Sequence, residues 1–191
     1  DDCVRQHVHG DDRLAGSGLR WLAVDHIDNR TRSAEEAGVV ATLFDQLLGR
    51  TWTNRDGEEA ELTMDDLLVV APYNAQVHAL SEVLPDGARV GTVDKFQGRE
   101  GAVVIVSLAA SDAESIPRGL EFLYSRNRLN VAVSRAQAMS IVVASPKLLT
   151  ARCSSVEQLK LVNGLCRYAE MADHLPRPGT GTTTRGLTTS R

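Results

Sequence analysis

Residues 67–71 read Leu-Leu-Val-Val-Ala and residues 102–109 read Ala-Val-Val-Ile-Val-Ser-Leu-Ala, two runs with almost no polar break. A strand with one wet face alternates apolar and polar side chains, so a run without alternation needs cover on both faces. The segments between the apolar runs carry helical spacing and can supply that cover. Strands alternating with helices in this way define an α/β domain, a parallel sheet with helices on both faces.

The remaining elements follow from local signals. Residues 19–26 read as a strand behind a Gly-rich entry. Ser33 caps a helix with Glu35 and Glu36 in its first turn. Val39, Val40, Leu43, Phe44, Leu47 and Leu48 keep helical spacing, and Gly49 ends the helix. Residues 51–61 are polar with Asn54 and Asp56-Gly57, a turn or hairpin excursion. Pro72 closes the strand at 67–71. A helix over 74–84 is expected to turn Val77, Leu80, Val83 and Leu84 inward, and 89–93 to form a short strand. A helix around Asn130, a strand at 140–144, a short helix opened by Ser145-Pro146 and a helix over 155–172 complete the series. Residues 176–191 are Pro, Gly, Thr and Arg with almost nothing to bury, which predicts a disordered tail. The expected organisation is a lead-in at 1–18, one domain at 19–175 and a tail at 176–191.

Composition narrows the function classes. At 191 residues and 42% hydrophobic content the chain can build one sizeable core. No apolar run is long enough to span a bilayer, and the opening Asp1-Asp2-Cys3 is not a signal peptide. The missing initiator Met suggests a fragment or a processed product. Three cysteines without a pairing pattern predict a reducing, cytoplasmic setting. A net charge of −4 argues against an autonomous, non-specific nucleic-acid binder, so any such contact is local or shared with another domain. Eighteen arginines against three lysines read as codon usage in a GC-rich genome rather than as function. Cys3, His7 and His9 lie close together but lack a fourth ligand at zinc spacing, so no metal site is expected.

Three segments concentrate chemistry. The first is Gly91-Thr-Val-Asp-Lys-Phe-Gln-Gly-Arg-Glu-Gly101, placed between two strands at a carboxyl end, where open α/β sheets hold ligands. Gly98 and Gly101 permit tight backbone paths, and Thr92 offers a hydroxyl and an N–H suited to phosphate. The same loop reads equally as polar residues pairing with one another. The second is Arg128-Leu-Asn-Val-Ala-Val-Ser-Arg135, where two arginines seven apart share one face of an expected helix. Guanidinium groups aimed from a partly buried helix call for an anionic partner. The third is Val70-Ala-Pro-Tyr-Asn-Ala-Gln-Val77, a strand end leading into a helix, where Tyr73 can stack on a base and Gln76 can hydrogen-bond.

Taken in order, these segments resemble superfamily-one helicases. Thr92-Val-Asp-Lys-Phe-Gln-Gly-Arg-Glu100 with its apolar strand looks like motif V. Arg128-Leu-Asn-Val-Ala-Val-Ser-Arg-Ala136 looks like motif VI, and Ala71-Pro-Tyr-Asn-Ala-Gln76 looks like the motif IV region. Ser33 to Ala37 matches the lead-in helix. The branch is the one holding the nonsense-mediated decay helicase and the replication nuclease-helicases, and the likeness covers about residues 18–148.

The resemblance implies a RecA-like fold, the second motor domain of an ATP-dependent translocase. By position, Arg135 matches the arginine finger that reaches the γ-phosphate of ATP held by a partner domain, typically worth about 10³–10⁵ in rate. Tyr73, Gln97, Gly98 and Glu100 match nucleotide-side positions. Arg128 either contacts phosphate or braces motif V. Thr92, Lys95 and Asn74 match the nucleic-acid side. The implied partners are single-stranded nucleic acid, DNA favoured over RNA, and an N-terminal RecA-like domain with or without a nuclease domain. The alternative is a non-catalytic strand-binding or protein-interaction module derived from such a helicase.

ATP and Mg²⁺ would be held mainly outside this chain. No Gly-x-x-x-x-Gly-Lys-Ser/Thr occurs in it, and no apolar strand ends in Asp-Glu. Pro178-Gly-Thr-Gly-Thr-Thr183 mimics a phosphate loop, but Thr182 stands where the lysine belongs and no strand precedes it.

Overall fold

The structure is a computed structural model that describes residues 6–96, 98–114, 116, 119–123, 130 and 133–177. Its centre is a six-stranded sheet of β2 (Gly18–Ala23), β5 (Leu67–Val70), β6 (Arg89–Gly91), β7 (Gly101–Ser107), β8 (Ala136–Ala144) and β9 (Asp173–His174). The strand order is β6-β5-β7-β8-β2-β9, and every pairing is parallel. This is the expected class.

The unbroken apolar runs divide their side chains between two cores, as the period-two rule requires. Leu67, Val69, Val103 and Ile105 face one core together with Val40, Phe44 and Leu80. That core lies under α1 (Ala34–Leu47) and α2 (Asn74–Val83). Leu68, Val70, Val104 and Val106 face the other, together with Leu165 and Tyr168 of α4 (Val156–Met171). A single-turn α3 (Leu120–Leu123) adds Leu123 to that side.

Caps fall where the sequence puts them. The Ser33 hydroxyl accepts from Glu36 N at 3.1 Å, and Gly49 turns the chain out of α1 at φ +80°. Ser145 and Ser155 cap the 3₁₀ turn Pro146–Thr150 and α4. Residues 51–61 form a hairpin, β3 (Thr51–Thr53) with β4 (Glu59–Glu61), and β1 (His7–Val8) joins it antiparallel. Asn54 Oδ1 accepts from Asp56 N and Glu58 N, and Gly57 supplies the positive φ of the turn. Trp52 is buried in the first core, so this small sheet extends that core.

Some expectations need correction. Val83 is 47% exposed; Leu84 holds the buried position at the end of α2. The strand expected over 89–93 stops at Gly91, and Val93–Phe96 winds into a 3₁₀ turn. The strand expected from residue 140 begins at Ala136, because its early residues pair with Gly101 and Gly18 in the parallel ladder rather than through any apolar pattern of their own. Of the expected tail, Pro176 and Arg177 are described, Arg177 pairing with Asp25, and residues 178–191 lie outside the described residues. The same is true of Cys3 and of the phosphate-loop mimic. Among the described residues no helix is long and apolar enough to cross a membrane, and no group of three potential ligands could hold a metal ion.

Candidate functional site

The candidate residues divide between the two ends of the sheet. At the carboxyl end, β5 leads through Pro72 into α2. Tyr73 is extended at φ −120°, and its carbonyl accepts from Gln76 N and Val77 N at 3.0 Å each. Its ring is buried, 5.2 Å from that of Phe122 and tilted by 32°. Asn74 follows it, exposed at the start of α2. One strand over, Thr92 leaves β6 at the same end, half-buried, and its carbonyl accepts from Lys95 N. The Lys95 ammonium turns back and donates to Val90 O at 2.8 Å. Its stem occupies the space that a Cβ on Gly91 would take, so the glycine permits this fold-back.

From there the loop crosses to the opposite end. Phe96 is buried and anchors the 3₁₀ turn. Gly98 takes φ +78° with open space around it, so its backbone rather than its surroundings requires glycine. Glu100 is exposed and accepts from Gln137 Nε2 at 3.2 Å. Gly101 N donates to Arg135 O at 3.0 Å. Seven residues of β7 at about 3.3 Å each separate the two ends by roughly 20 Å. The sequence reading placed the whole loop at a carboxyl end. Glu100, Gly101 and Arg135 stand at the amino end.

Arg135 departs from the expected helix face as well. Asn130 and Val133 are helical and Ser134 N donates to Asn130 O at 2.8 Å, but Arg135 occupies the turn that feeds β8. Its backbone is fixed by Gly101, and its side chain is partly buried. Its Nε is buried and meets no acceptor among the described residues. A buried cationic N–H without an acceptor is costly, so a group supplied from outside the described residues would relieve it. Arg128 and Gln97 lie outside the described residues.

A third constellation was not read from the sequence. Gln76 is wholly buried and unavailable to a ligand: its Oε1 accepts from Ser33 N at 2.7 Å, and its Nε2 donates to Ser33 O and Ser107 Oγ. Glu36, three residues past the cap, stands where a capping-box carboxylate would return to the Ser33 N–H. It binds His26, Ser107 and Ala109 N instead, and Gln76 takes over the Ser33 N–H. One signal was available in the chain: Glu36 falls in phase with Val40, Leu43 and Leu47, the buried stripe of α1.

A family model described as an AAA domain matches residues 19–147, and the chain belongs to that family as a RecA-like helicase C-terminal domain of the superfamily-one branch. "Probable RNA helicase armi" of Drosophila melanogaster is 36% identical over 101 residues, 47% of this chain and 8% of its own length. "DNA polymerase alpha-associated DNA helicase A" of Saccharomyces cerevisiae is 37% identical over 118 residues, 56% of this chain and 16% of its own length. "DNA replication ATP-dependent helicase/nuclease JHS1" of Arabidopsis thaliana is 26% identical over 123 residues, 64% and 8% respectively. The matches thus span less than a fifth of each relative's length.

Proposed function

We propose that this domain is the second motor unit of an ATP-dependent helicase or translocase. It contributes Arg135 to an ATP site whose phosphate loop and Mg²⁺ ligands belong to a first RecA-like domain. The observation that carries the reading is the unsatisfied, buried Nε of Arg135, held at the amino end of the sheet where Arg135 O accepts from Gly101 N. Phosphoryl transfer spreads negative charge over the equatorial oxygens, and a guanidinium held nearby stabilises it. Gln97, Gly98, Glu100 and Arg128 are assigned to the nucleotide side, whereas Tyr73, the N-cap of α2, lies at the strand end. With its ring against Phe122, Tyr73 packs beneath that end rather than stacking freely on a base. Single-stranded nucleic acid, DNA favoured, runs over the carboxyl end past Thr92 and Asn74. Lys95 joins it only after releasing Val90 O.

Nucleotide and strand then occupy ends of the domain joined by one loop, Thr92 to Glu100. Movement at the nucleotide end is therefore delivered to the strand end through covalent backbone. Arg135→Ala in the intact helicase is expected to lower strand-stimulated ATPase kcat by about 10³-fold or more, with little change in strand affinity. A variant within an order of magnitude of wild type removes Arg135 from the ATP site.

A further inference from the structure

The buried network around Glu36 contains none of the residues assigned above to nucleotide or strand. His26, Glu36, Ser107, Ser111 and Gln76 are at most 4% exposed, yet their polar atoms form one continuous chain of hydrogen bonds. Glu36 is its sink. Oε1 takes His26 Nε2 at 2.9 Å; Oε2 takes the Ser107 hydroxyl at 2.6 Å and Ala109 N at 2.9 Å. A carboxylate only accepts, so Nε2 carries the hydrogen. His26 Nδ1 meets Ser111 Oγ at 2.7 Å, and that oxygen also accepts from Asn29 N at 2.9 Å. On the other side Gln76 Nε2 donates to Ser107 Oγ at 2.9 Å.

Serine, histidine and glutamate in a line resemble a hydrolase triad, but Ser111 is wholly buried and no substrate can reach it. What the chain does is mechanical. It joins the exit of β2 at His26 and Asn29, the start of α1 at Ser33 and Glu36, the first turn of α2 at Gln76, and the exit of β7 from Ser107 to Ser111. It also holds Ala109 at φ +65°, a left-handed conformation that a residue with a Cβ adopts only under constraint.

We propose that Glu36, Ser107, Gln76 and His26 are positioning residues for strand binding: together they hold the first turn of α2, and so Asn74, against the exits of β2 and β7. This rests on the assignment of the carboxyl end to nucleic acid. Ser107→Ala removes one hydroxyl, leaving Gln76 Nε2 with Ser33 O alone, while Ser107→Thr keeps the hydroxyl. In the intact helicase, the oligothymidylate concentration for half-maximal ATPase stimulation rises about fivefold in Ser107→Ala, the loss expected of one hydrogen bond. The ATP KM and the unstimulated rate stay unchanged, and Ser107→Thr follows wild type. His26→Leu gives the same split from the other end of the network; should it not fold, the Ser107 pair still decides. Unchanged half-saturation in Ser107→Ala, or an equal fall in stimulated and unstimulated rates, overturns the positioning role. A wild-type enzyme that neither oligothymidylate nor oligouridylate stimulates overturns the assignment of the carboxyl end itself, and this inference with it.

Discussion

Individual side chains show how burial decides what a polar group does. Tyr168 is buried on α4, with its hydroxyl donating to Ser140 O at 2.9 Å and Arg20 O at 3.2 Å. Burial pushes its phenol up to about 12, although the hydrogen bonds pull the other way. The folded state therefore favours the neutral phenol. That stabilisation is complete below pH 10 and is lost as pH rises from 10 towards 12, in all about 3 kcal/mol. Tyr168→Phe is expected to cost about 1 kcal/mol at pH 8 and to be the more stable protein by pH 11. Urea midpoints at the two pH values check this; a constant gap would contradict it. Gln76 and Glu36 teach the same lesson: both look like surface or ligand groups in sequence, and both are spent inside. Arg20 is a further case, 5% exposed, with its guanidinium bound to the carbonyls of Arg13, Ala15, Ser17 and Leu19 and paired with Asp173.

Among the elements, strands were legible where both faces are covered, because their composition leaves no other place for them. β5 and β7 follow their apolar runs to within two residues. α1 was legible from Ser33 to Gly49 through its caps and stripe. The start of β8 was not, since Ala136 and Gln137 carry no pattern and are recruited by their neighbour β7. Gly101 shows how tight that junction is. A Cβ there would lie 2.9 Å from Asp66 O and from Leu68 Cγ, closer than real contacts allow. Gly101→Ala is expected to cost about 1–3 kcal/mol in denaturant unfolding, because backbone must move to make room. A midpoint equal to wild type would mean that β7 can slide at its mouth. The position of Arg135 is an element-level outcome too: the helix around Asn130 stops short of it, and it lies in the turn that feeds β8.

For the whole molecule, the two proposed functions sit at opposite ends of one sheet, and each is proposed to be completed by a second domain. The chain by itself is therefore expected to show no measurable ATPase or duplex unwinding, and its single-strand affinity should be weak. A filter-binding titration checks the second point: with few phosphate contacts, log affinity should fall shallowly with log salt. Tight binding with a steep slope would favour the stand-alone strand-binding module instead. Sequence by itself determined the class of fold and the motif-bearing segments, because two-sided burial, caps and turn residues are local properties. Tertiary structure decided which end of the sheet each described candidate occupies, that the Lys95 ammonium folds back on Val90 O, that Gln76 is turned inward, and that Glu36 closes a buried network with His26. Those outcomes depend on which chain segments meet across long separations, such as Glu36 with Ser107 and His26 with Ser111, and no local pattern encodes that meeting.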